Sequence, residues 1–218
     1  MATINVNRQG VGTGIGNGTF STARTNAAST VTDGITGEFD VQYFTSGRSK
    51  RFKRVFLHFD TSGITGTLSA AHIDINGAGG SDPDPNDTIM VKSTAFGGDG
   101  GTALATSDHY SSVDYGTAYS DELTTWSTGN NEYTLTAAAL ADIKNNDHFT
   151  LALVEHDSDY TNSDQTNVSD ITIDFDTTIT LDYTLVTGYG HTVNGVASAN
   201  IGKINGVATA NIEKINGV

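Results

Sequence analysis

The chain has 218 residues, with 25 glycines, two prolines, one tryptophan and no cysteine, so a disulfide scaffold and a thiolate metal site are both excluded. No run approaches the ~20 apolar residues of a membrane helix, and a chain of this length holds one ordinary domain without covalent staples. The net charge of −14 is concentrated, because between residues 55 and 192 only Lys92 and Lys144 stand against 21 acids; such a surface repels nucleic acid, whose binding depends on neutralising phosphates.

The opening MATINVNRQGVGTGIGNG has neither the basic start nor the apolar run of ~7–15 residues of a secretory signal, so export by that route is not expected. Residues 1–19 read as a flexible or strand-donating arm, with a first strand over 3–7. The glycines at 10–18 lack the preceding strand and following helix of a phosphate cradle. Further strands are expected over 39–44, 53–59, 72–76, 88–93, 132–135 and 149–155, and from 171 through 185 with a break near Asp176. The 33 threonines, together with Val, Ile, Tyr and Phe, suit a pleated surface, and turn-forming clusters punctuate the chain every ten residues or so. Over 53–59, Val55, Leu57 and Phe59 share one face while Arg54, Phe56 and His58 take the other, so this strand is expected to be covered on both sides. One segment reads as a helix, TLTAAALADIKNND, with Thr136 as its cap and Leu140 and Ile143 on one side; it is expected to close one end of the fold. The expected class is therefore all-β: an antiparallel β-sandwich, jelly-roll-like, over residues 1–187.

Residues 188–218 form a separate tail. VNGVASANIGK, INGVATANIEK and INGV repeat with a period of 11 residues. Asn-Gly favours a two-residue hairpin turn, and nine residues between successive turns make a strand. Over 207–215, Ala208, Ala210 and Ile212 share one face and Val207, Thr209, Asn211, Glu213 and Ile215 the other. So few strands cannot bury an apolar face alone, so the tail is expected to join copies of the chain through Val193, Val196, Ile201, Ile204, Val207, Ile212 and Ile215. A right-handed helical coil also has an 11-residue period, but it would set Gly195, Gly206 and Gly217 inside a helix at about 1 kcal/mol each.

The stretch RVFLHFDTSGITGTLSAAHIDI, residues 54–75, resembles carbohydrate-module-like β-sandwich domains of the DNRLRE type, found on secreted polysaccharide-active and surface proteins. Residues 132–162 are similar to the second half of that domain in versions from phage particles, and the tail motif ANIEKINGV resembles a short repeat near the ends of tailed-phage structural proteins. The resemblance implies a binding or stabilising module and supplies no catalytic residues.

Four groups of side chains are candidates for chemistry. Tyr110, Tyr115, Tyr119 and Trp126 offer ring faces for a glycan, or else complete the core. Asp82, Asp84 and Asp87 in DPDPND are hard oxygen donors for calcium, the one cofactor the residues suggest, although the loop lacks the glycine and glutamate of a calcium hand; Asp157, Asp159 and Asp164 are a second such group. Asp157 and Asp159 otherwise read as a solvated rim. The basic run GRSKRFKR is expected to pair with the acidic remainder rather than to bind an acidic glycan. No motif of an enzyme is present. The expectation is a non-enzymatic virion protein of a tailed phage, a capsid decoration or fibre component. It would be a homo-oligomer, a trimer by preference, contacting other virion proteins and adhering weakly to host-surface glycan, without nucleic-acid binding or membrane insertion. The alternative is a bacterial extracellular surface or filament protein with a glycan-binding sandwich.

Overall fold

A computed structural model describes residues 1–17, 19–46, 49–80, 87–166, 168–186, 203–204 and 207–208. In chain order its elements are β1 (Ala2–Asn5), β2 (Arg8–Asn17), α1 (Phe20–Thr25), β3 (Thr30–Asp33), β4 (Glu38–Ser46), β5 (Ser49–Asp60), β6 (Leu68–Gly80) and β7 (Thr88–Ser93). They continue with α2 (Asp108–Ser111), β8 (Val113–Ala118), β9 (Gly129–Thr134), α3 (Ala137–Asn145), β10 (His148–Glu155), β11 (Ser169–Asp174) and β12 (Thr180–Leu185), and then two short strands, β13 (Lys203–Ile204) and β14 (Val207–Ala208).

The first twelve strands form one hydrogen-bonded sheet in which every pairing is antiparallel. It is the expected all-β, sandwich-like class. β5 organises it. Along one edge β5 pairs with β2 from Arg8↔His58 to Asn17↔Ser49; along the other it pairs first with β4 and then, from Val55 onward, with β10. That change of partner lets a continuous sheet fold over itself. One core cluster takes Val55, Leu57 and Phe59 from β5 and Leu151 and Leu153 from β10, together with Ile73 and Ile75 from β6, Ile171 and Ile173 from β11 and Leu181 from β12. Each such side chain contributes roughly 1.5–3 kcal/mol on full burial.

The expected double covering of β5 is present. Phe56 on its second face joins Val91, Phe96, Leu104, Ala152 and Val154 in a separate cluster, and Arg54 and His58 on that face are also buried. A third, small cluster packs Phe20 and Ala23 of α1 on Tyr43 and Phe52.

Thr136 caps α3, its hydroxyl accepting from the Ala139 amide and donating to the Ala118 carbonyl. Ala139 and Ile143 are buried in the main core, with Leu140 packed at its margin. Residues 1–17, expected as an arm, are instead built into the sheet of their own chain: β1 pairs with β12 and β2 with β3 and β5. Among the described residues no helix is long and apolar enough to cross a membrane.

Of the tail, β13 and β14 pair antiparallel, Ile204 opposite Val207, on either side of the Asn205 and Gly206 of one repeat. Val193, Val196, Ile201, Ile212 and Ile215 lie outside the described residues, as do Asp82 and Asp84 of the expected calcium loop.

Candidate functional site

In the basic run, whose Arg48 lies outside the described residues, the charges from Lys50 onward are met inside the chain. Lys50 pairs with Asp164 and Lys53 with Asp40, while Arg51 donates from Nε to Gln42 Oε1 at 3.0 Å and lies over the Phe44 ring. Arg54 is fully buried. Its Nε and Nη2 grip Asp159 bidentately at 2.6 and 2.8 Å, Nη2 also reaches the Arg24 carbonyl, and Nη1 serves His109 Nδ1 at 3.0 Å and the His109 carbonyl. All five guanidinium donors are thereby used. Arg24 stacks 4.1 Å over Tyr115, whose hydroxyl donates to Asp159 at 2.8 Å.

Room for this network comes from β2. A Cβ on Gly12 would stand 3.0 Å from the His109 ring, and one on Gly14 would overlap it. The alternation of glycine at 10, 12 and 14 is thus the negative imprint of Leu104 and His109, and not the mark of an arm.

The four aromatic residues do not form one platform. Tyr110 and Tyr115 sit 6.1 Å apart beside the buried arginines. Tyr119 is 2% exposed, stacked on Phe149 at 4.9 Å and hydrogen-bonded to Asp142; burial and that carboxylate raise its pKa beyond the normal phenol range. Trp126 rests on Gly77 and donates to the Gly79 carbonyl at 3.0 Å. Tyr115 and Tyr119 are committed to internal contacts, which leaves little ring face for a sugar.

The segment after β10 is solvated only in part, with Asp157 half-exposed and Asp159 buried. His156–Tyr160 forms a single π-helical turn, a geometry frequent at functional sites. Glu155 begins it by accepting the amides of Asp157, Ser158 and Asp159 at 3.0, 2.7 and 3.0 Å. Burial raises the Glu155 pKa to about 7 against those donors. The turn separates the three acids read as a second calcium group: Asp159 points to Arg54, Asp164 to Lys50 and Tyr43, and Asp157 to His156. Asp87 is 6% exposed and lies beside Glu122, so that burial and the second carboxyl raise its pKa to about 6.

An open polar cleft of about 350 Å³ lies at one end of β5, lined among others by Asn7, Arg8, His58, Asp60, Asp99 and His148. Arg8 is fixed by the Gly100 and Thr102 carbonyls at 2.7 and 2.6 Å and by Asp33 at 2.7 Å. His58 Nδ1 lies 2.7 Å from Thr150 Oγ1, and that hydroxyl donates to the Gly98 carbonyl. The Nδ1 proton therefore points to Thr150, leaving Nε2 as an acceptor. Burial and the His148 ring lower the His58 pKa, so its ring is neutral at pH 7. Hydrogen bonds from Ser62 hold Asp60 low, and the Gly101 amide does the same for Asp99. The cleft thus offers two ionised acceptors and a neutral imidazole, a set suited to the hydroxyls of a small polar ligand.

No family model matches the chain. No curated protein matches it either. The reading of the site therefore rests on its own residues.

Sequence reasoning passed over Arg8, Glu122 and Glu155. The signal for Glu155 was its place at the end of an apolar strand before HDSDY, where a carboxylate can meet the amides of a turn. Arg8 and Glu122 carried no local signal, since their partners are distant in sequence.

Proposed function

We propose that this chain is a non-enzymatic structural protein of a tailed-phage particle, a capsid decoration or fibre component. Its β-sandwich is displayed, and its tail of 11-residue repeats joins copies of the chain, by preference three. The observation that carries this reading is the repeat itself. Its Ala208, Ala210 and Ile212 face would be an aggregation site if left in water. The pairing of Ile204 with Val207 around Asn205 and Gly206 supports β-hairpins over a helical coil for these units. Identical chains meeting through such faces favour closed symmetric assemblies. The likeness of ANIEKINGV to repeats of phage structural proteins points to the virion, and adhesion to host-surface glycan, the second role, falls to the cleft at Arg8 and His58. The alternative of a bacterial extracellular surface or filament protein uses the same two parts, so the genes adjacent to this one discriminate: portal and terminase genes favour the virion, an exporter the cell surface.

Light scattering on the eluted whole chain is expected to give an oligomer. A chain ending at Thr187, which keeps β12 complete, is expected to give a monomer. Equal monomeric masses would remove the reading.

A further inference from the structure

We propose that Glu122, His156 and Asp157, backed by the buried Asp87, form a binding site for a divalent transition cation of the zinc or manganese class. His156 Nδ1 lies 3.1 Å from Glu122 Oε1 and 3.0 Å from Asp157 Oδ1, and one ligand atom from each of the three residues falls within 4.8 Å of the others. Ligands ~2.0–2.2 Å from a shared tetrahedral ion stand about 3.4 Å apart, so these separations need to open by only a few tenths of an ångström. Asp87 stands behind this set on the buried side. Its carboxyl faces Glu122, and its Oδ1 is enclosed without a hydrogen-bond partner among the described residues. A buried carboxylate oxygen left in that state costs free energy, and a cation removes the cost.

The charge balance points the same way. Three carboxylates meet one imidazole, and among the described residues no lysine or arginine forms an ion pair with any of the three. One Nδ1 proton cannot satisfy two carboxylate oxygens and also relieve the contact between Asp87 and Glu122. A divalent ion can, by replacing that proton.

The surrounding backbone holds the ligands in place, as outer partners do in metal sites. The His156 amide donates to the Asp87 carbonyl at 2.8 Å, and Thr88 and Leu123 exchange two backbone hydrogen bonds, fixing the segments that carry Asp87 and Glu122. Glu155 secures the Asp157 amide, and the His156 ring stacks on Tyr160 at 5.4 Å. An imidazole nitrogen among carboxylates suits zinc or manganese better than calcium, which takes oxygen ligands. A second grouping, His72, Asp74 and Asp182, serves as the internal control. There the imidazole is 3.8 Å from Asp74, and Asp182 already accepts from Thr3 and Thr180.

The test is isothermal titration of the metal-free full-length chain at neutral pH with zinc, manganese and calcium chlorides in turn, with circular dichroism to confirm that each variant is folded. Zinc or manganese is expected to bind one ion per chain, more tightly than calcium. Glu122→Gln, at a partly exposed position, and His156→Gln are each expected to weaken binding at least about tenfold, whereas His72→Gln leaves it unchanged. The proposal is overturned if neither zinc nor manganese binds at millimolar concentration, if calcium binds more tightly than both, if folded Glu122→Gln and His156→Gln chains bind as the natural one does, or if binding is lost with His72→Gln.

Discussion

Arg54 shows how a charge on a strand covered on both faces becomes the centre of a core. Removing one partner of such a buried pair typically costs ~3–5 kcal/mol, because the other charge is left unpaired, so each group around it is tightly constrained. His109 is the one that titrates. Its Nδ1 lies 3.0 Å from Arg54 Nη1, closer than the Asn26 carbonyl at 3.3 Å, and its Nε2 lies 3.2 Å from the Phe52 carbonyl; a guanidinium can only donate, which favours a neutral ring with the proton on Nε2. Burial and the adjacent guanidinium lower its pKa to about 4, against ~6.5 in an unfolded chain. Between those values the unfolded state holds the extra proton, so stability from this group is complete above pH ~6.5 and is lost as the pH falls towards 4, by about 3 kcal/mol in all. Glu155 and Asp87 act in the opposite sense, since burial raises both to about 7 and 6 and their protonation in acid favours the fold. The informative quantity is therefore a difference. From pH 7 to pH 4, urea unfolding is expected to show the natural chain losing about 3 kcal/mol more stability than His109→Gln, which takes no proton. Parallel pH profiles would mean that His109 is not held neutral by Arg54.

At the scale of elements, what was legible followed from alternation and capping. The runs in β5, β7, β10, β11 and β12 carry apolar residues at the spacing of strands, and the Thr136 cap of α3 precedes a run of alanines. What was not legible was β2, because in GVGTGIG the residues that alternate with Val11 and Ile15 have no side chains, and a pattern defined by missing atoms carries no hydrophobic signal. Its meaning lies with residues about 100 positions away in the sequence. The aromatic group misled for a related reason. Proximity along the chain set Tyr119 beside Tyr110, while β8 leads one into the core and α2 carries the other towards Arg24. The reading of β2 has a direct check. Gly14→Ala places a methyl against the His109 ring and is expected to cost about 1–3 kcal/mol by overpacking. In a double-mutant cycle with His109→Ala most of that cost disappears, because the space is then free. Additive losses in urea midpoints would show that β2 tolerates side chains on that face, and that its glycines serve the backbone instead.

For the whole molecule, the internal pairing of cations decides how copies can meet. Arg8, Arg24, Lys50, Lys53, Arg54 and Lys92 all have a carboxylate partner within their own chain, in a chain whose net charge is −14. Few cations remain to attract a second copy, so the assembly proposed above would set acidic surfaces against each other and would have to draw on apolar burial in the tail. Ion pairs and apolar faces respond to salt in opposite ways. Raising ionic strength from ~0.01 to ~0.15 M shortens the Debye length from ~30 to ~8 Å, which screens the repulsion between protomers but leaves hydrophobic contact intact. The proposed oligomer is therefore expected to strengthen with salt, its dissociation midpoint on dilution falling to lower protein concentration when followed by light scattering across that range. Dissociation promoted by salt would instead place interchain ion pairs at the junction, drawing on Lys203 and Lys214, the two basic residues of the tail, and would move the source of cohesion from the Ala-Ala-Ile face to the charged face of the same repeat.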